Sequence, residues 1–125
     1  MKPTTEKAFR IKLRAACRGV GTYRDEFEPV IARLAELYVR MQTTRAEWQA
    51  DGGQTVVPYT NKAGATNWVK HPLLAELDFL QKTALEVERE LGLTPASLKK
   101  INEAAMGSAA EEDALSAALG ALKLV

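Results

Sequence analysis

Apolar positions recur along two stretches of this chain with the same 4-3-4-3-4 spacing. Val30, Leu34, Leu37, Met41, Thr44 and Trp48 make the first series, and Leu73, Leu77, Leu80, Ala84, Val87 and Leu91 the second. Steps that alternate between three and four place one stripe along one side of a helix. The pattern predicts two long helices, at about Asp25–Ala50 and Pro72–Leu91, packed antiparallel at a shallow angle. Pro29 is tolerated only in a first turn, so the regular part of the earlier helix begins near Glu28. Ile31, Tyr38 and Ala46 widen its stripe, and Thr44 and Ala84 mark places of close approach. Asp51-Gly52-Gly53 ends it.

Between the two series the period changes. Thr55, Val56, Val57 and Tyr59, then Trp68 and Val69, favour strand, and the polar run Asn61–Thr66 supplies a turn. A β-hairpin at about residues 54–70 follows, with Pro58 at an edge or bulge. Before the first series, Phe9, Leu13, Ala16 and Val20 share one side of a helix near Thr5–Arg18, which Thr4 or Thr5 caps and Gly19 and Gly21 break. After the second, Ala96–Ala105 reads as a short helix, Met106-Gly107-Ser108 as a linker, and Ala109–Leu122 as an Ala-rich helix with Leu115, Leu119 and Leu122 on one stripe. Glu111, Glu112 and Asp113 suit the first turn of that last helix. The expected fold is mainly α: an antiparallel hairpin of two long helices with a β-hairpin between them, plus short N- and C-terminal helices. The expected organisation is a basic arm (1–24), a helical-hairpin core (25–105), and a C-terminal linker and helix (106–125).

The end of the second long helix is punctuated densely. His71 precedes a proline and marks a helix boundary, with Pro72 as the first helical residue. Gly92 suits a left-handed C-terminal stop, Thr94 a cap, and Pro95 the first turn of the next helix. A long helix after an aromatic-rich hairpin and an X-Pro start, ending in Gly92-Leu93-Thr94-Pro95-x-Ser97, resembles the small subunit of tailed-phage terminases. Leu34–Met41 resembles the preceding helix of that family, and the likeness spans roughly residues 25–103. His71 is a departure, because Asn is the more frequent residue there.

Charge sharpens the picture. The whole chain carries a net +1, yet residues 1–24 hold seven basic side chains and one acidic one, a net of +6, which leaves −5 for the rest. Lys7, Arg10, Arg14 and Arg18 form a stripe on the first helix, with Lys2, Lys12 and Arg24 near it. Three readings fit that stripe: a solvated face, a contact for DNA phosphates, or a membrane-surface helix. No run approaches the length of a membrane span, and the N-terminus has no signal-peptide core. Cys17, the single cysteine, reads as a small core residue in a reducing cytoplasm. One histidine and one cysteine give no zinc-ligand spacing, and no glycine-rich loop carries the Lys-Ser/Thr that phosphate binding needs. The expectation is a chain without enzymatic activity, cofactor or metal.

Two functions remain. The resemblance implies a non-enzymatic packaging adaptor in the host cell cytoplasm, which closes into a homo-oligomeric ring, binds viral double-stranded DNA and presents it to the large terminase subunit with its ATPase and nuclease. Candidate DNA contacts are Lys7, Arg10, Arg14, Arg18, Lys2, Lys12 and Arg24. Leu34, Leu37, Met41, Trp48, Tyr59, Trp68, Leu77 and Leu80 are candidates for the subunit interface, and Leu115, Leu119 and Leu122 for the large subunit. About 24 residues precede the second helix, fewer than a three-helix DNA-reading module requires. The alternative is a helical-hairpin scaffold of low oligomeric order with no DNA role.

Overall fold

The computed structural model describes residues 2–123, and the side chains of all of these except 108–113 and 121–123. In chain order the elements are α1 (Glu6–Val20), a 3-10 turn (Asp25–Phe27), α2 (Glu28–Ala50), β1 (Val56–Thr60), β2 (Thr66–Lys70), α3 (Pro72–Glu90) and α4 (Pro95–Lys123). The architecture is mainly helical, with an antiparallel β-hairpin between two long helices, as the apolar spacing predicts. The α2 and α3 seams face each other across the core, where Leu34, Leu37, Leu77, Leu80 and Ala84 are buried. Leu13 and Cys17 of α1 close that core over Ile31, Leu34 and Ala35 on the N-terminal half of α2. Reciprocal hydrogen bonds of 2.9 Å between Thr4 and the Gln42 side chain fix the start of α1 beside the middle of α2.

Three helices stop in the same way. At the ends of α1, α2 and α3 a glycine adopts positive φ, and two amides turn back to the last carbonyls of the helix. Gly19, read as a breaker, lies inside α1, and only Gly21 ends it. At Gly92 the conformation is needed twice over. Its φ is +71°, and a Cβ there would stand 2.9 Å from Thr22 Cγ2 and 3.0 Å from Ile101 Cδ1. Thr22 has little freedom to move aside, because its hydroxyl donates to the Leu91 carbonyl at 2.7 Å. Beyond the corner, the Thr94 and Ser97 side chains bond each other at 2.7 Å, and each accepts the other's backbone amide. Three remote segments therefore meet at one glycine: the α1–α2 loop, the end of α3 and the first turns of α4.

The opposite end is held by His71. Its ring is buried; Nδ1 accepts the Leu73 amide at 3.1 Å and so caps α3, while Nε2 donates to Asp51 Oδ2 at 2.7 Å at the end of α2. Its own amide donates to the Thr55 carbonyl at 2.9 Å and closes the base of the hairpin. An asparagine could supply the cap through its side-chain oxygen, but only the longer ring also spans to Asp51. The hairpin beyond pairs Val56 with Lys70 and Pro58 with Trp68. Pro58 is accommodated because each strand of a two-stranded sheet is an edge. At the tip, Asn61 Oδ1 accepts the amides of Ala63 and Ala65.

The expected linker is a correction. The backbone is helical through Met106, Gly107 and Ser108, which joins the two anticipated C-terminal helices into one of 29 residues. This stretch contains no proline, Gly107 has no positive φ, and the alanine-rich flanks favour helix strongly. Glu111, Glu112 and Asp113 accordingly fall in mid-helix; their side chains lie outside the described residues.

Gly92→Ala is expected to destabilise the fold by about 2–3 kcal/mol, combining left-handed strain with the Thr22 and Ile101 contacts. Adding Thr22→Ser, which removes Cγ2 and keeps the hydroxyl, should recover part of that loss in urea unfolding. At the other end, His71→Ala should cost about 2 kcal/mol through loss of the cap and the Asp51 bond. His71→Asn should cost about half as much, and equal losses would show that the cap contributes nothing.

Candidate nucleic-acid interface and assembly surfaces

The cationic face of α1 is built by its amphipathic period, and Leu13 and Cys17 turn that face outward by burying the other. It is less free than its residue count implies. Arg10 bonds Glu6 one turn earlier at 2.5 Å. Arg14 Nε lies 2.7 and 3.1 Å from the two carboxylate oxygens of Glu28, at the start of α2. Arg18 stacks over the Tyr23 ring at 4.4 Å, and Arg24 pairs with Glu26. Among the described residues, Lys2, Lys7, Lys12 and Arg18 have no carboxylate partner and are exposed. Arg10 keeps one buried donor, Nε, without a partner.

Arg14 thus has a structural task. With the Tyr23 hydroxyl, which donates to Glu28 Oε1 at 2.7 Å, it holds α1 against the start of α2. These hydrogen bonds, Arg14 first and Tyr23 second, hold the Glu28 carboxyl below its ordinary value. The same contacts raise the Arg14 guanidinium and the Tyr23 phenol above theirs. Burial pushes up the Cys17 thiol, a core residue as the sequence suggests, and the Tyr38 hydroxyl, which also donates to Glu88 at 2.6 Å.

The eight anticipated interface residues divide. Leu34, Leu37, Leu77 and Leu80 are a correction, since they are consumed within the chain's own core. Met41 and Trp48 are half-buried, while Tyr59 and Trp68 are 57% and 71% exposed. Trp48 is tied down, its indole nitrogen donating to the Gln54 carbonyl at 2.8 Å. By strand alternation Trp68 shares a hairpin face with Val56 and Pro58, and Tyr59 points to the other face. Met41 lies elsewhere, in an open groove of roughly 750 Å³. Phe9, Tyr38, Met41 and Ala46 line it, and Lys2 and Arg45 also border it. The groove exists because α1 spans about 22 Å and α2 about 34 Å, so the distal half of α2 lacks a third helix.

Leu115 and Leu119 are exposed on α4, whereas the Leu122 side chain lies outside the described residues. The sequence reading missed two features here. Phe79 is 63% exposed on the outer side of α3, signalled only by its position opposite the seam. The groove had no sequence signal at all. No helix is long and apolar enough to cross a membrane among the described residues.

The Glu28 contacts carry a pH dependence. A carboxylate with depressed folded-state pKa contributes stability that is complete above its ordinary value of 4.5 and is lost as pH falls through the folded value. Glu28→Gln should therefore flatten the fall in thermal midpoint on acidification below pH 4.5, relative to the parent chain. Parallel profiles would show that the Arg14–Glu28–Tyr23 cluster is not an acid-sensitive support.

The family model described as phage terminase, small subunit, matches residues 7–108, which is most of the sequence. No curated protein and no solved structure matches. With its helical hairpin, its Gly92–Ser97 corner and this match, the chain belongs to the phage terminase small-subunit family.

Proposed function

We propose that this protein is a DNA-presenting adaptor in phage genome packaging. Copies of it form a closed ring, contact viral double-stranded DNA through α1, and offer α4 to the large terminase subunit, which supplies the ATPase and nuclease. The observation that carries this reading is the family match over residues 7–108. Family membership itself supports a packaging role inside the infected host cell and, in general, the non-catalytic position within the terminase. Support for a DNA face comes from Lys7 and Arg18, exposed two turns before and one turn after Arg14, with Lys2 and Lys12 beside them. Support for a partner face on α4 comes from its exposed Leu115 and Leu119.

The pairing of Arg10, Arg14 and Arg24 with carboxylates favours a second reading, a scaffold of low order without DNA. Salt dependence separates the two. Phosphate contacts release counterions, so each one adds close to one unit to the slope of log affinity against log salt. Replacing Lys7, Lys12 and Arg18 together by Ala should weaken binding to any duplex and lower that slope by roughly one unit per engaged side chain. Arg14 is left intact because its removal would loosen α1. An unchanged slope moves the DNA site off α1, and absence of binding by the parent chain supports the scaffold.

A further inference from the structure

We propose that the self-association on which the packaging reading rests is heterologous: the Trp68 face of one copy's hairpin seats in the α1–α2 groove of a second copy. The two surfaces are opposite in shape, and each keeps apolar area that the chain itself does not cover. Trp68 stands 71% exposed, flanked by Val56 at 47% and by Pro58, its cross-strand partner. A two-stranded hairpin is marginal by itself in water, so a surface that covers this apolar face would also stabilise the hairpin. The groove is a concave vacancy where a third helix is missing, floored by Phe9, Tyr38 and Met41.

The chemistry also matches. Lys2 and Arg45 border the groove, and no carboxylate is within ion-pair distance of either among the described residues. A cation beside an apolar floor suits an indole, which buries its ring and offers its π face to the charge. The one cation on the hairpin face, Lys70, is already engaged by Asp78 of α3 and so does not repel them. A knob that meets a hole on a different surface can repeat head to tail, closing into a ring where the rotation allows, or close as a reciprocal two-fold pair, and the subunit number of the parent chain separates the two.

Size sets the expected strength. Val56, Pro58 and Trp68 together offer on the order of 300–400 Å² per copy, below the ~800 Å² per partner of a stable complex. A single seating is therefore weak, and closure, in which every copy gives and receives once, supplies the remaining stability.

The test uses two substitutions at exposed positions, Trp68→Ala on the knob and Ala46→Arg in the groove, each checked for unchanged helicity by circular dichroism. Under native mass spectrometry each variant alone should fall to monomer, with its pairwise dissociation constant raised at least tenfold. Mixed together at up to about 1 mM, where even a weak single seating is populated, they should form a one-to-one heterodimer in sedimentation equilibrium that grows no further, because one intact knob meets one intact groove. Full-size oligomers in either variant, or a mixture that stays monomeric, would overturn this seating and leave self-association by another surface. An oligomer that dissolves only when the chain is cut before Met106 would assign the contact to α4 instead. A parent chain that remains monomeric overturns the ring reading together with the seating.

Discussion

The left-handed turn at Gly92 is the constraint on which the other placements depend. It stops α3, and its missing Cβ lets Thr22 and Ile101 approach from opposite sides of the sequence. The Thr22 hydroxyl then donates to the Leu91 carbonyl, a group that the end of the helix would otherwise leave unsatisfied. That bond fixes the end of α1 against the end of α3. Once α1 is anchored there and at Thr4–Gln42, its rotation is set by Leu13 and Cys17, and its cationic side faces solvent. A backbone requirement at Gly92 thus bears on which charges are displayed by α1, at the other end of the chain.

The far end of the bundle is organised by different chemistry with the same logic. A two-stranded hairpin has too little apolar contact to hold a fixed orientation alone. His71 ties it to both helices by using each ring nitrogen and its own amide for a separate bond. The two ring nitrogens serve different partners, Nδ1 accepting for the cap and Nε2 donating to the carboxylate. The two fixed ends leave α2 and α3 as a rigid frame. Surfaces displayed on the hairpin, the groove and α1 are then held at set separations, as any repeating assembly requires.

The frame was legible in the sequence because its signals are local. Seam spacing, a proline start, glycine stops and a polar turn each act over a few residues, and the helices and hairpin fall where those signals put them. The motif from Gly92 to Ser97 could be recognised, but its reason could not, because Thr22 and Ile101 enter only in the folded chain. Longer-range facts escaped in the same way. The partner of Arg14 is Glu28, fourteen positions away on another helix, so a stripe of charge gave no sign that it was partly neutralised. Leu34 and Leu77 lie on seams that would read alike inside a chain or between chains; only the packed structure shows who fills them. The groove depends on the difference in length between α1 and α2, which is a property of packing rather than of any motif.

The partial neutralisation of α1 bears on how an adaptor of this kind would use DNA. Half-buried pairs within one helix such as Arg10–Glu6 contribute only a few tenths of a kcal/mol, and a phosphate competes well for such a cation. Arg14 differs, because giving up Glu28 would also release the bond from Tyr23 and loosen α1. A single chain therefore offers a small set of freely available cations around Lys7, Lys12 and Arg18, too few for strong binding to a duplex. On the packaging reading that weakness is useful: affinity multiplies with the number of copies along one DNA, so binding becomes conditional on assembly. An isolated copy would leave DNA alone, and the charge pattern of α1 would matter only once the hairpin and groove had brought many such helices together.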